Sequence, residues 1–341
     1  MRLFQLFILL STLLGLISCG GGGVAPQTYT TAEAYAEAEG FVGTILVKKN
    51  DDYIIRKGFG FSDKNQQLTN TIDTRYRIGS LTKAFTALAI VQLKKANVIA
   101  SFDDPISNYI TNYLRGDDIS IRQVLTHRSG IPEHVSSVNP NNIYTPLELV
   151  NLFKSRTLEF EPGQKFNYSN SNYVLLGYLI EILSGVEYKN YLQTNIFSAL
   201  GMVNTKYSES IISGALFAKG YQDDLQTQSA NFIDMSIPYS AGAISSSVID
   251  MEIWAESFNA NTLVSEQDNL EIFSEGDYGF GWIVTKIAGK LVYTHLGGIN
   301  GFSSIIAIFP EDNGLIIALS NVEGENEKLE RIATAIAENE L

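Results

Sequence analysis

A serine and a lysine lie three residues apart in Gly79-Ser80-Leu81-Thr82-Lys83, at the start of a long apolar run. If a helix begins near Gly79, the two side chains share one face of it, and the lysine amine can activate the serine hydroxyl as a nucleophile. Unpaired backbone N–H groups at the helix start also favour the negative charge that develops on an attacked carbonyl. A capped helix with a solvated lysine explains the pair alone more simply, but two later motifs change that interpretation.

The second motif is a tyrosine and an asparagine at Tyr168 and Asn170, in a loop that follows a Pro-Gly turn. The loop leads into an apolar run at 174–183 that Gly185 closes, which predicts a buried helix. Tyr-x-Asn occurs again at 188–190, so the motif alone is not specific. Its place at the mouth of a buried helix distinguishes the first copy, because a rigid loop can aim a phenol and an amide at one point.

The third motif is a histidine followed by glycines, in His295-Leu-Gly-Gly-Ile-Asn-Gly301. The preceding residues predict a strand with His295 at its end. Glycine lets a backbone N–H come close to a ligand, as an oxyanion hole requires. A glycine-rich hairpin explains this run equally well.

The elements that must position these motifs form a sheet at the chain ends and helices between them. Strands are predicted at 41–48, 53–59, 278–285, 290–294, 302–309 and 315–320, and helices at 32–39, 81–98 and 325–338. Helical segments joined by Pro-, Gly- and Asn-rich loops are predicted over 101–272. Asp103 and Ser120 resemble helix starts, the second with a capping box to Gln123. His127, at the end of that second helix, is interpreted as structural.

We therefore expect an α/β fold of the α+β type. One antiparallel sheet would be built from both chain ends and flanked by helices, with the middle of the chain inserted as a mostly helical lobe. Within a hydrolase domain at 32–341, the α/β lobe would comprise 32–78 and 276–341, and the helical lobe 79–275. An active site is expected in the cleft between the lobes.

Taken together, Ser80-x-x-Lys83, Tyr168-x-Asn170 and His295-x-Gly297 resemble, in order and separation, the motifs of the penicillin-recognising serine hydrolases of the class C β-lactamase, D,D-peptidase and esterase type. Other stretches are also similar, at 125–132, 175–177, 240–246, 278–282 and 298–303. The resemblance spans roughly residues 33–338 and implies the β-lactamase/transpeptidase-like fold.

The resemblance implies that Ser80 is the acylated nucleophile and that Lys83 and Tyr168 share proton transfer. Asn170 would hold the amide side of the substrate. An unperturbed lysine titrates near ~10.4 and a tyrosine near ~10, so either needs burial or a charged neighbour to act as a base at neutral pH. The sequence leaves open which of the two is the general base.

By the same resemblance, His295 takes the place of the lysine in the family's Lys-Thr-Gly motif, with Leu296 and Gly297 as substrate-binding residues. The backbone N–H groups of Ser80 and Gly298 would form the oxyanion hole. Leu296 replaces the usual Thr or Ser, which removes a hydroxyl that would bind a substrate carboxylate, and His295 removes a fixed positive charge. In mild acid a protonated imidazole, with an unperturbed pKa near ~6.5, is expected to restore part of that charge.

These differences favour a serine hydrolase that acts through an acyl-enzyme on an ester, an amide or a D-amino-acid peptide, such as a small or peptidoglycan-like substrate. The alternatives are a class C-like β-lactamase or D-alanyl-D-alanine carboxypeptidase, and, in a different class, a non-catalytic cell-wall-binding relative. An intact set of Ser80, Lys83 and Tyr168 argues against the last, because binding alone does not need all three.

The N-terminus predicts export. Residues 1–18 resemble a signal peptide, and Leu16-Ile17-Ser18-Cys19 resembles the bacterial lipobox, in which the cysteine is lipidated. Cys19 is the only cysteine of the chain, so it has no disulfide partner within it. We expect a lipid-anchored protein of the bacterial cell envelope, on the periplasmic or outer surface, with 19–31 as a flexible tether.

Composition excludes several other functions. The formal charge of −13 disfavours nucleic acid, because phosphate contacts need a basic patch. The three histidines show no His-Glu-x-x-His spacing, so neither a metal nor another cofactor is expected. The sequence gives no indication of the oligomeric state.

Overall fold

The structure is a computed structural model that describes residues 31–211, 214, 216–273, 276 and 278–341. In this part of the chain the strands are β1 (Gly43–Lys49), β2 (Asp52–Phe59), β3 (Phe61–Asp63), β4 (Leu68–Thr69), β5 (Tyr76–Arg77), β6 (Lys206–Tyr207), β7 (Ile244–Ser246), β8 (Ile283–Ile287), β9 (Lys290–Ile299), β10 (Phe302–Phe309) and β11 (Gly314–Ser320). The helices are α1 (Ala32–Ala38), α2 (Thr82–Lys95), α3 (Ile121–Leu125), α4 (Pro146–Asn151), α5 (Asn170–Ser184), α6 (Tyr188–Leu192), α7 (Ser198–Leu200), α8 (Tyr239–Gly242), α9 (Val248–Asn259), α10 (Glu266–Ile272) and α11 (Asn326–Asn339).

One sheet joins the two ends of the chain. Among the described residues it has six strands in the order β2-β1-β11-β10-β9-β8, and neighbouring strands are antiparallel. The N-terminal strand β1 pairs with the C-terminal strand β11 from Gly43 opposite Ser320 to Lys49 opposite Gly314. The predicted fold class, with an antiparallel sheet built from both chain ends and flanked by helices, is therefore confirmed.

Side chains that alternate along the strands give this sheet two apolar faces. Ile305 and Ile316 belong to the cluster that packs against α1 and α11. Their neighbours Ile306 and Ile317 belong to the larger cluster on the opposite face, which includes α2 and α9. In that cluster Phe85 of α2 stacks on Trp254 of α9, with ring centroids 3.9 Å apart. The helix that follows Ser80 is thus a rigid interior element, as its apolar pattern predicts, and it holds Ser80 in place.

A second, smaller sheet is absent from the sequence-based prediction. It has the order β5-β7-β6 and connects the residues just before Ser80 to the segment after α8. The strands β6 and β7 lie within the stretch predicted to consist of helices and loops. Pairs of two or three residues are too short for a periodic pattern to reveal.

Some predicted boundaries are wrong. The strand predicted at 278–285 begins only at Ile283, because Gly281 turns the chain with φ +82°. The backbone of Ala84 lies so close that a Cβ at Gly281 would be 2.6 Å from its Cα. The strand predicted at 290–294 continues to Ile299, so His295 lies inside it and not at its end. The helix expected after Asp103 is only a short 3₁₀ turn, Ile106–Asn108.

Two helix ends follow their sequence signals. The capping box from Ser120 to Gln123 is present at α3, and Gly185 ends α5 in the left-handed conformation. The predicted signal peptide and Cys19 lie outside the described residues. None of the helices in the described ranges is long and apolar enough to span a bilayer.

Candidate active site

Ser80 lies in a 3₁₀ turn, Gly79–Leu81, directly before α2. It remains partly exposed while residues on both sides of it are buried. Gly79 has φ +51°, and a Cβ at this position would lie 2.7 Å from the amide nitrogen of Gly298. Glycine thus allows the turn that carries Ser80 to approach β9. This brings together the two segments whose N–H groups, by the family resemblance, would form an oxyanion hole.

The strands β9 and β10 hold this turn in place through Ile78. The hydroxyl of Ser304 donates to the carbonyl oxygen of Ile78 at 2.9 Å. A Cβ at Gly297 would lie 2.1 Å from the same oxygen, so any side chain there would push the turn away. The glycines at 79 and 297 therefore leave the space that lets the start of α2 pack closely against β9.

Lys83 is completely buried one turn after Ser80. Its Nζ lies 3.0 Å from Ser80 Oγ, 2.9 Å from Asn170 Oδ1 and 2.8 Å from the carbonyl oxygen of Ala241. Burial lowers the pKa of Lys83 to about 7, although the charge of Glu133 acts in the opposite direction. Near neutral pH a substantial fraction of this lysine is therefore an uncharged amine.

Tyr168 belongs to the same group of side chains, since its interaction with Ser80 favours the ionised phenol. Its ring centroid is 4.9 Å from Lys83 Nζ. Burial raises the pKa of Tyr168 further above its usual value, and Glu133 adds to this effect. The phenol therefore carries its proton at neutral pH and is suited to donate it.

Asn170, the first residue of α5, connects Lys83 to a carboxylate. Its backbone N–H and its Nδ2 donate to Glu133 Oε2 at 2.8 and 2.9 Å, while its Oδ1 accepts from Lys83. Burial opposes ionisation of Glu133, but hydrogen bonds from His134 and Asn170 hold its pKa at about 2. Glu133 fixes the orientation of the Asn170 amide, and a negative charge faces Lys83 through it.

His295 is almost completely buried on β9 and is held at both ring nitrogens. Nδ1 donates to the carbonyl oxygen of Leu296 at 2.6 Å, so Nε2 accepts from the hydroxyl of Tyr278 at 3.0 Å. Burial, assisted by the charge of Lys83, lowers the pKa of His295 to about 3. The imidazole stays neutral in mild acid, and the expectation that it becomes protonated there is wrong.

The side chain of Leu296 packs against the apolar cluster on the α1 and α11 face of the sheet. His295 and Gly297, the alternate residues of β9, face the nucleophile turn. The main-chain carbonyl of Leu296 therefore helps the site by accepting the hydrogen bond of His295. Its side chain does not lie with the other predicted site residues.

The profile of the Beta-lactamase family matches residues 30–340. The chain belongs to this family. Its members share a β-lactamase-type serine hydrolase fold, and the resemblance inferred from the three motifs is confirmed. A relative named as a penicillin-binding protein, PbpX of Bacillus subtilis (strain 168), is 29% identical over 306 residues, covering 89% of this chain and 76% of PbpX.

Two solved structures of the same fold can be superposed on most of the chain. A penicillin-binding protein from Bacillus halodurans has a TM-score of 0.79 at 26% identity, covering 90% of this chain and 99% of the other. The D-amino acid amidase from Ochrobactrum anthropi SV3 has a TM-score of 0.77 at 22% identity, covering 88% and 95%. The second likeness shows the shared fold alone.

Glu133 is the site residue of this Beta-lactamase family member that the sequence analysis missed. It directly follows the stretch 125–132 that resembles the family, but a single carboxylate after a proline carries no local signal. Its partner Asn170 is 37 residues away in sequence. Only the packing of this loop against the start of α5 reveals the contact.

His127 packs against the loop that carries Tyr168. Its Nδ1 accepts from the backbone N–H of Ser169 at 3.2 Å and lies 3.1 Å from Asn172 Nδ2. Its ring packs on Tyr168, with centroids 4.3 Å apart. Burial lowers the pKa of His127 well below its usual value, so it is neutral. Within the described residues, no cluster of His, Cys, Asp or Glu has the geometry to hold a metal ion.

Proposed function

We propose that this protein is a serine hydrolase that forms an acyl-enzyme at Ser80, with Lys83 as the general base. The hydrogen bonds of Lys83 are the main support. A neutral amine has two N–H bonds and one lone pair. The oxygens of Asn170 and Ala241 can only accept, so they take both N–H bonds and leave the lone pair for the hydroxyl proton of Ser80.

In acylation, Ser80 Oγ gives its proton to Lys83 Nζ and bonds to the substrate carbonyl carbon. The resulting oxyanion would be stabilised by the N–H groups of Ser80 and Gly298. Tyr168 then donates its proton to the leaving group as the carbonyl re-forms, and Lys83 returns a proton to Tyr168. In deacylation, Tyr168 passes its proton to Lys83 and takes one from the water that attacks the acyl carbon. The bond between that carbon and Ser80 Oγ then breaks, and Lys83 returns its proton to Ser80.

The substrate class we propose is an ester, an amide or a D-amino-acid peptide. A neutral, buried His295 supplies no cation at the position of the family's Lys-Thr-Gly lysine, and Leu296 supplies no hydroxyl to the cleft. Both features disfavour a β-lactam or a terminal D-alanine carboxylate at that end of the site. We also propose that Cys19 carries a lipid that tethers this hydrolase to the bacterial cell envelope.

Intact-mass spectrometry after exposure to a fluorophosphonate, a panel of esters, D-amino-acid amides and a penicillin tests the assignment. We expect one stoichiometric adduct on the parent protein and none on Ser80→Ala, with circular dichroism unchanged. Lys83→Met should slow acylation by about two to four orders of magnitude, the range for loss of a positioned proton-transfer group. An adduct that persists on Ser80→Ala would refute the nucleophile, and a Lys83→Met variant that acylates at the parent rate would refute the base.

A further inference from the structure

A cavity of about 600 Å³ opens between the segment at 217–233 and the turn that joins β9 to β10. Its walls combine apolar rings, such as Phe232 and Phe302, with the polar side chains of Asn231 and Asn300. Among the charged side chains that line it are Arg77 and Lys219, and a carboxylate, Asp63. Asp63 accepts hydrogen bonds from the backbone of residues 65 and 66, so its charge is partly satisfied locally.

Arg77 is a buried cation without an ion pair among the described residues. It is 5% exposed, and its Nη2 donates to two carbonyl oxygens, those of Glu209 and Ser210, at 2.9 Å each. Its Nε finds no hydrogen-bond partner in the part of the chain that the structure describes. The carboxylate of Asp234 acts on it only at a distance and is itself bonded to Ser210 and Ser236.

A buried guanidinium with an unused donor is unfavourable unless an anion completes its surroundings. Burial lowers the pKa of Arg77 to about 10, so the group remains charged at neutral pH. Lys219, at the partly exposed edge of the same cavity, also forms no ion pair with the described residues, and its Nζ lies 5.8 Å from the ring of Tyr221. The cavity is therefore the place where an anionic group would be stabilised.

Two segments of the chain connect residues that line the cavity with residues of the candidate active site. Arg77 precedes Ser80 by three residues, which can span at most about 11 Å. Along β9, His295 lies beside Tyr168, with ring centroids 6.2 Å apart, and Asn300 of the cavity follows two residues after Gly298. The leaving group must face Tyr168 to receive its proton, so the acyl part of a substrate extends in the opposite direction, toward Asn300 and Arg77.

We propose that this cavity is the acyl subsite and that it selects acyl groups bearing a carboxylate, which pairs with Arg77 and, at the edge, with Lys219. The proposal rests on the proposed function and adds a substrate class to it. The apolar rings would pack against the chain that joins the carboxylate to the reacting carbonyl. The negative charge of the substrate is thus recognised on the acyl side, away from His295 and Leu296.

Matched chromogenic esters test the subsite with a constant leaving group. The anionic series is the 4-nitrophenyl hemiesters of glutaric, adipic and suberic acids, and the neutral series is 4-nitrophenyl pentanoate, hexanoate and octanoate, each corrected for spontaneous hydrolysis. We expect at least one hemiester to exceed its neutral partner in kcat/KM by about ten- to a hundredfold, the effect of a charge-assisted hydrogen bond. Arg77→Met should reduce this ratio to near one, Arg77→Lys should retain part of it, and Lys219→Met should lower it by a smaller factor.

Lys189→Met, which removes an exposed charge on α6, is the matched control and should leave the ratio unchanged. Because Arg77 also holds the loop at 209–210, Arg77→Met requires a check of melting temperature, and Lys219→Met provides a second test if it unfolds. A parent ratio near one, or variants that lower both ester series equally, would overturn the subsite.

A binding measurement separates this proposal from the proposed function. Ser80→Ala cannot form an acyl-enzyme, but it should bind glutaranilic acid more tightly than the neutral methyl ester of that anilide, by calorimetry. Equal affinities would overturn the subsite even if esters are turned over. Preferential binding of the acid by a parent protein that hydrolyses no ester would support the subsite and refute the hydrolase.

Discussion

Glu133→Gln gives the sharpest test of how the buried lysine is tuned. The carboxylate Oε2 is 2.9 Å from Asn170 Nδ2, and Asn170 Oδ1 is 2.9 Å from Lys83 Nζ, so the two charges are separated by one amide group. Unit charges about 8 Å apart interact by about 2 kcal/mol at an effective dielectric constant of about 20. That is an upper limit of about 1.5 pKa units. Because the side chain of Glu133 is 37% exposed, solvent screening reduces the effect, and we expect a change of about 0.5 to 1 unit.

The sign follows from which form of Lys83 is active. The neutral amine accepts the proton of Ser80, so kcat/KM should rise with pH through the pKa of Lys83, which is about 7 in the parent. Removing the anion destabilises the ammonium form and lowers that pKa. The acidic limb of the profile should therefore move to lower pH in Glu133→Gln.

The assay is kcat/KM for 4-nitrophenyl acetate from about pH 5 to about pH 9. Glu187→Gln, the same substitution at an exposed position, is the control. The control should keep the parent profile. A limb that stays in place or moves upward in Glu133→Gln would refute the coupling. A parent kcat/KM that stays low near pH 7 and is still rising at about pH 9 would instead assign the base to Tyr168, whose pKa is raised.

Three further outcomes are expected. Gly79→Ala should lower kcat/KM by about 10²-fold to 10³-fold, the effect of losing one oxyanion-hole donor. The reason is that the new Cβ would push the turn away from Gly298. Fluorophosphonate labelling and melting temperature distinguish this loss of activity from unfolding. Since the pKa of His295 is about 3, the kcat/KM ratio of a penicillin to a neutral ester should not improve between pH 7 and about pH 5.5, and a severalfold rise would show that the imidazole titrates there. Cys19→Ala should move the protein from the membrane fraction to the soluble fraction, and a variant that stays membrane-bound like the parent would exclude the lipid tether.

Much of this protein can be predicted from local patterns. Runs of strand-forming residues at the chain ends and an apolar helix after Ser80 led to the sheet and its flanking helices. Capping signals at Ser120 and Gly185 marked true helix ends because a cap is satisfied by atoms within a few residues. The spacing of Ser80 and Lys83 predicted their contact for the same reason, since one helical turn joins them.

Tertiary structure decided the chemistry of those groups. Lys83 bonds the carbonyl of Ala241, 158 residues away, and Glu133 bonds Asn170 across 37 residues. Whether Lys83 carries its proton, whether His295 can gain one and where Leu296 points depend on burial and on which distant groups lie within a few ångströms. A sequence pattern records residue types at fixed spacing, whereas a pKa reflects the dielectric environment and charges that only the assembled fold brings together.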